Sequence, residues 1–357
     1  MDIQGYLQII SGTRRGVWSA ALRGGLWALS VPWAAASWCR HRAFDWGWKR
    51  VERVSVPVIA VGNLTTGGTG KTPIVACVVQ QLQAMGRTPG IVSRGYGADE
   101  SGENDEKRVL QQLCPHVPHE QHPDRILASR RLISEGVDVI VLDDAYQHRR
   151  IHRDLNILLI DATCPFGYGH QLPRGLLRES VSGLRRADVV LITRADRISP
   201  GDRAALRATV QQIAADSHAA ADQPCFDVSF QPTQLQSATG QRLAADDLAQ
   251  REVTVMTAIG NPAAFVQTCR QLGFVVAAER LFPDHHLYTA DDVRQVLSLA
   301  DQAQTQTVLT TLKDLVKLPP TEDRFLAVLI ETVFAVERDG EAFGQCLARV
   351  LDNAEPR

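Results

Sequence analysis

From Val56 onward, short apolar runs rich in β-branched residues alternate with segments of helical periodicity, and this alternation predicts a parallel sheet covered by helices on both faces. The expected strands are 56–62, 89–93, 138–142, Leu155 to Asp161 and Asp188 to Thr193, with helices at 71–85 and 124–135. The strand at 138–142 is apolar from Val139 onward, the pattern of a strand buried on both faces. A polar stretch near 95–108 reads as irregular. Around 214–226 the composition turns small and polar, which places a domain boundary there. Beyond it, 253–259, 262–272, 307–311, 326–331 and a last helix at about 339–352 predict a second, smaller α/β unit. The expected division is therefore an N-terminal segment 1–50, a first α/β domain 51–225 and a C-terminal α/β domain 226–357.

The N-terminal segment follows a different pattern. All six tryptophans, Trp18, Trp27, Trp33, Trp38, Trp46 and Trp48, fall before residue 50. Trp18, Leu22, Leu26, Leu29 and Trp33 recur at helical spacing, and no residue between Arg23 and Arg40 is charged. That run is shorter than the roughly 20 residues of a spanning helix, and Pro32 interrupts it. Arg14, Arg15, Arg23, Arg40, Arg42, Lys49 and Arg50 flank it, so the segment reads as an amphipathic helix lying in a headgroup region. The competing expectation is a helix packed on the soluble core.

Composition narrows the classes. The chain has 357 residues and a net charge of −2, which gives no global pull toward nucleic acid. Its seven cysteines are scattered, odd in number and form no Cys-x-x-Cys pair, so reduced thiols are expected rather than a disulfide frame or zinc site.

Two stretches carry phosphate chemistry. In VIAVGNLTTGGTGKTP, residues 58–73, an apolar strand runs into a glycine-rich turn ending in Gly70-Lys71-Thr72. Backbone N–H groups of such a turn converge on phosphate oxygens, and the following helix offers its N-terminus. Lys71 is placed to reach the β- and γ-phosphates and the Thr72 hydroxyl to hold Mg²⁺. Thr65 stands where the usual pattern has glycine, and Gly67 and Gly68 supply the flexibility. In VDVIVLDD, residues 137–144, a buried strand ends in Asp143 and Asp144. At the C-terminal edge of a parallel sheet, one of them should help hold the metal.

Further candidates fall in four places. The loop 92–106 holds Arg94, Tyr96, Asp105 and Glu106; the segment 143–148 adds Gln147 and His148; 172–179 offers Arg174, Arg178 and Glu179; and 282–288 groups Asp284, His285 and His286. Spacing alone does not choose among them.

The ordered set VGNLTTGGTGKTP, SRGYG, NDE, LDDAYQH, LPRGLLRE, AIGNP, FPDHH and TTLKDLVKL, within about residues 14–318, resembles the tetraacyldisaccharide 4'-kinase family. The resemblance implies a P-loop NTPase-like, mostly parallel sheet flanked by helices, a smaller second α/β domain and an N-terminal membrane-interface helix. It implies transfer of the γ-phosphoryl of ATP to the 4'-hydroxyl of a tetraacyldisaccharide 1-phosphate, with ATP and Mg²⁺ as cofactors. It also implies a peripheral position on the cytoplasmic face of the inner membrane, with the lipid substrate and membrane surface as partners and no obligate protein partner. Carried over by position, Thr65, Thr66, Gly67, Gly68, Thr69, Gly70, Lys71 and Thr72 hold the nucleotide, and Thr72, Asp143 and Asp144 the metal. Asp105 takes the place of the family's catalytic aspartate, with His285 or His286 as its partner and Lys71 as the phosphate-side catalytic group. Arg94, Tyr96, Gln147, Arg178 and Glu179 become substrate- or nucleotide-side residues. Asn104 and Lys107 replace a glycine and a proline around Asp105, Ala145 and Tyr146 replace a glycine and a phenylalanine, and Leu312 replaces a glutamate.

A P-loop ATPase or GTPase switch is the alternative reading, since Thr193-Arg194-Ala195-Asp196 is loosely similar to a guanine-reading run. An inactive scaffold is a third, opposed by intact Lys71, Thr72, Asp143 and Asp144.

Overall fold

The computed structural model describes residues 3–95, 104–215, 223–248, 250–284, 286–319 and 323–352. The first part of the chain forms α1 (Ile3–Ile10), α2 (Val17–Asp45), β1 (Val58–Asn63), α3 (Lys71–Ala84), β2 (Pro89–Ser93), α4 (Asp105–Leu113), β3 (His119–Gln121), α5 (Arg125–Ser134), β4 (Val139–Asp143), β5 (Leu155–Asp161), β6 (Val189–Thr193) and α6 (Pro200–Ala215). It continues through β7 (Cys225–Ser237), β8 (Arg242–Ala244), β9 (Glu252–Thr257), α7 (Pro262–Gln271), β10 (Val275–Leu281), α8 (Ala290–Gln302), β11 (Thr307–Thr311), α9 (Leu312–Leu315), β12 (Phe325–Phe334) and α10 (Glu337–Asp352).

Two contact units divide these elements. The first takes the described residues of 1–94, 117–229 and 333–357, and the second those of 95–116 and 230–332. The expected split, 51–225 from 226–357, is thus interleaved. Helix α4 belongs to the second unit because Val109 shares a core there with Leu312, Leu315 and Phe325. Helix α10 belongs to the first because the Phe343 ring lies 6.2 Å from that of Phe226 and 5.3 Å from that of Phe334.

In the first unit the strand order is β7-β6-β5-β1-β4-β2-β3, and every pairing in it is parallel. β1 and β4 are buried along their whole length, as their apolar sequences require. The order reverses at β1: the chain passes outward to β2 and β3, returns to insert β4 beside β1, then proceeds to β5 on the other side. Loops leaving β1 and β4 therefore emerge side by side at the C-terminal sheet edge, where open α/β sheets bind ligands.

The second unit repeats the parallel theme in β10-β9-β11-β12, with β7 beyond β12 and β8 antiparallel to β7. Helix α8 buries Val293, Val296 and Ala300 at helical spacing and starts at a Thr289–Asp292 capping box.

Helix α2 runs unbroken through Pro32, where the sequence suggested an interruption. Its buried residues are Ser19, Ser30 and Phe44, while Trp18, Leu22, Trp27, Leu29, Trp33 and Trp38 are exposed. The apolar face therefore points to solvent rather than to the core. Among the described residues, no helix is long and apolar enough to cross a membrane.

Candidate active site

The turn after β1 is shaped by its glycines. Gly67 and Gly70 have φ of 112° and 85°, a region that side-chain-bearing residues seldom adopt, and Gly70 caps α3 in the left-handed conformation. A Cβ on Gly67 or Gly68 would meet nothing within 4 Å, so the turn opens onto free space at both residues. Both flanks of the turn are tied down. Thr66 N–H donates to the Leu176 carbonyl at 2.7 Å, and Asn63 Nδ2 reaches the buried Thr65 hydroxyl at 3.4 Å. On the other side Thr193 Oγ1 donates to the Thr69 carbonyl at 3.0 Å and Arg194 to the Gly68 carbonyl at 2.7 Å, with Arg194 held by Asp161. The run loosely similar to a guanine-reading motif thus braces the phosphate turn through its first two residues.

The turn after β4 meets the same place. Asp143 lies in register with Val61, and Asp144 follows with a φ of 48°. Lys71 Nζ stands 3.7 Å from Asp144 Oδ1, and Arg178 Nη1 donates to both Asp144 oxygens at 2.8 and 2.9 Å. Burial works to raise the Asp144 pKa, but the two cations prevail and hold it below the usual carboxylate range. His148, four residues on, is pushed down to about 4 by burial and by Arg125, Arg150, Arg40 and Arg153, so its imidazole is neutral near pH 7.

Gln147 and Glu179 form a brace. Gln147 Nε2 donates to the Asn63 carbonyl at 2.8 Å and to Glu179 Oε1 at 3.0 Å. The Glu179 carboxylate, 2 % exposed, also takes Arg186 at 2.6 Å and His41 of α2 at 3.1 Å. Both oxygens of the Glu179 carboxylate are thus engaged inside the fold. Arg94 directly follows β2 as an exposed side chain. Tyr96 and His285 lie outside the described residues.

In the second unit Asp105 opens α4, and its Oδ2 lies 3.1 Å from Lys317 Nζ. Asn104, which replaces a family glycine, caps that helix by accepting Lys107 N–H at 2.9 Å. Asparagine is among the best N-cap residues, so this departure supports the helix that carries Asp105. Leu312, in place of a glutamate, is buried in the second unit's core. Of the paired histidines, His286 is engaged with Asp292 at 3.1 Å and stacks on Phe282 at 4.7 Å.

The donor set suits a magnesium nucleotide. Among the described residues no three His, Cys, Asp or Glu side chains gather into a metal cage. Mg²⁺ in nucleotide sites takes one or two carboxylates plus phosphate and water, and Asp143, Asp144 and the Thr72 hydroxyl could supply the protein's share of those ligands.

The family model for tetraacyldisaccharide-1-P 4'-kinase matches residues 22–352. The chain belongs to this family. The tetraacyldisaccharide 4'-kinase of Anaeromyxobacter dehalogenans (strain 2CP-C) is 37 % identical over 325 residues, covering 86 % of this chain and 84 % of that protein. That of Bdellovibrio bacteriovorus is 33 % identical over 295 residues, covering 78 % and 84 %. A crystal structure of LpxK from Aquifex aeolicus in complex with ATP aligns with a TM-score of 0.75 at 27 % identity, covering 92 % of this chain and 99 % of that one. The 4'-kinase fold, a mostly parallel α/β sheet flanked by helices, is therefore the fold of this chain.

Sequence reasoning overlooked several groups that contact these candidate residues. His41 and Arg186 complete the Glu179 brace without any local signal. Arg194 and Lys317 lay inside quoted motifs, where a charged residue beside a strand end or helix end was the available cue.

Proposed function

We propose that this chain transfers the γ-phosphoryl group of ATP to the 4'-hydroxyl of a tetraacylated glucosamine disaccharide 1-phosphate. The observation that carries the reading is the convergence of Lys71 and Arg178 on Asp144 at the mouth of the phosphate turn, in a chain of this family. The N–H groups of 67–72 bind the triphosphate, and Lys71 leaves Asp144 for the β- and γ-oxygens, where it offsets charge in the transition state. Thr72, Asp143 and Asp144 are the residues that would hold Mg²⁺, which neutralises phosphate charge when bound. The sugar oxygen attacks the γ-phosphorus, the bond to the β-phosphate bridging oxygen breaks, ADP departs, and the hydroxyl proton passes to Asp105. His285 or His286 is the imidazole we assign as the partner of Asp105. Arg94 and Tyr96 remain candidates for the sugar or its phosphate.

The outward apolar face of α2 supports a peripheral position on the cytoplasmic face of the inner membrane, where an acylated acceptor resides. The test is a mixed-micelle assay with radiolabelled ATP and the disaccharide 1-phosphate. Wild-type protein is expected to label the lipid, Lys71→Ala to abolish labelling, and Asp105→Ala to slow it by about 10²-fold or more while ATP binding persists. A wild-type chain that binds ATP yet labels no lipid, beside an active homologue, would refute the assignment.

A further inference from the structure

The run 310–318, TTLKDLVKL, holds the second unit together at one point. Asp314 is fully buried, and its Oδ2 accepts from Thr257 Oγ1 at 2.7 Å, Ala258 N–H at 3.2 Å and Thr311 Oγ1 at 2.7 Å. One carboxylate thereby pins α9 to the ends of β9 and β11. Three residues on, Lys317 N–H donates to the Asp314 carbonyl at 3.0 Å. The Lys317 side chain is 4 % exposed and its ammonium lies 3.1 Å from Asp105 Oδ2. Leu312 and Leu315 share their core with Val109 of α4, the helix that Asp105 begins.

Burying an ammonium is costly, and an apolar side chain of similar volume is often at least as stabilising. A buried lysine that meets one carboxylate among the described residues therefore calls for a reason other than stability. Asp105 is partly exposed at a helix start, where its carboxylate would otherwise sample several rotamers. Phosphoryl transfer depends chiefly on positioning, and a misplacement of about 1 Å can cost about 10²-fold.

We infer that Lys317 is a positioning residue for phosphoryl transfer: anchored through Asp314 to the strand ends, its ammonium fixes the Asp105 carboxylate where the sugar hydroxyl arrives. This rests on the reading of Asp105 as the proton acceptor. The chain of support runs from Thr257 and Thr311 through Asp314 and the α9 turn to Lys317 and Asp105.

The experiment compares wild type, Lys317→Met, Lys317→Arg, Asp105→Asn and the Asp105→Asn/Lys317→Met double variant, each checked by thermal melting, for kcat and for KM of ATP. Lys317→Met is expected to lower kcat about 10- to 100-fold with KM for ATP within about twofold, because the nucleotide groups are untouched. Lys317→Arg should restore most of kcat, and the double variant should be no slower than Asp105→Asn alone. Should Lys317→Met melt below the assay temperature, Lys317→Gln carries the same comparison. A slow Asp105→Asn beside a Lys317→Met of wild-type rate, a faster Lys317→Met, or multiplying losses in the double variant would overturn the positioning role. Normal turnover in Asp105→Asn would instead remove the reading of Asp105, and the inference with it.

Discussion

Replacing Gly62 by alanine should damage both the fold and the chemistry, and the size of the effect follows from three distances. Gly62 sits in β1, paired with Leu158 on one side, while the next strand, β4, leads into the Asp143-Asp144 turn. A Cβ built on Gly62 would lie 2.8 Å from Tyr146 Cβ, 2.9 Å from Tyr146 N and 3.4 Å from Tyr146 Cα. Backbone atoms cannot swing aside as a flexible side chain can. The Tyr146 ring offers no escape, since it is buried and its hydroxyl donates to the Gly183 carbonyl at 2.8 Å. Strand β1 is likewise clamped between β4 and β5. The turn at 145–146 must therefore withdraw by roughly 1 Å, taking Asp144 away from Lys71. Overpacking of this kind costs about 1–3 kcal/mol, and a shift of about 1 Å in a transfer site about 10²-fold in rate. Urea unfolding and the radiolabelled transfer assay measure the two losses. Gly68→Ala is the control, because its Cβ meets nothing within 4 Å; its unfolding free energy should match wild type, whatever happens to ATP. A Gly62→Ala protein with unchanged unfolding and unchanged transfer would refute the reasoning.

Two further outcomes follow from other parts of the first unit. His148 is held down to about 4 by burial and neighbouring arginines, against about 6.5 in an unfolded chain. The unfolded state then binds the proton more readily, so this stability is complete above about pH 6.5 and is lost as pH falls toward 4. Between pH 7 and 5 the linkage amounts to about 2 kcal/mol, reduced to about 1 kcal/mol for a ring that water partly reaches. Urea curves of wild type and His148→Gln at the two pH values should diverge by that amount; parallel curves would sink the argument. For the N-terminal helix, Trp18→Ala/Trp27→Ala should weaken sedimentation with anionic vesicles by about 10²-fold, at about 1–2 kcal/mol per indole, and leave ATP affinity unchanged. Equal sedimentation of variant and wild type would count against membrane docking through this face.

The central strands and the phosphate turn were legible because their signals are local. A fully apolar run such as 139–142 has few alternatives to a buried strand, and Gly70-Lys71-Thr72 after a strand has few alternatives to an anion cradle. The sequence of helix α4 reads as irregular because DEKRVLQQL buries only Val109 and Leu110, too little for periodicity to stand out. Helix α8 carries local signals too: Thr289 and Asp292 mark its start and Val293, Val296 and Ala300 its inner face. The interleaving of the two units was beyond the sequence, since it depends on which core covers a short amphipathic helix. The same holds for Glu179. Its charge and its loop setting suggest an exposed ligand, and only the arrival of His41, Gln147 and Arg186 from distant positions turns it into a buried brace.

The segment 172–179 explains why an N-terminal helix and a phosphate site should belong to one mechanism. The Tyr6 hydroxyl donates to the Pro173 carbonyl at 2.7 Å and Arg174 donates to the Ile10 carbonyl at 2.8 Å, fixing α1 to this segment. Trp33 Nε1 of α2 donates to the Arg178 carbonyl at 3.1 Å, and Arg178 N–H donates to the Leu64 carbonyl at 2.7 Å, beside the phosphate turn. The guanidinium of that same Arg178 grips Asp144. A single residue thus joins the helix with the exposed tryptophans, the end of β1 and the carboxylate turn. Each hydrogen bond contributes only about 1 kcal/mol alone, but they constrain one backbone, so the helix cannot shift without moving the groups around the phosphates. An acceptor whose acyl chains stay in a bilayer needs its hydroxyl presented at a set height above the surface. On the reading proposed above, in which α2 lies on that surface, a fold that fixes the apolar face of α2 relative to Asp144 through one arginine would set that height on the donor's side.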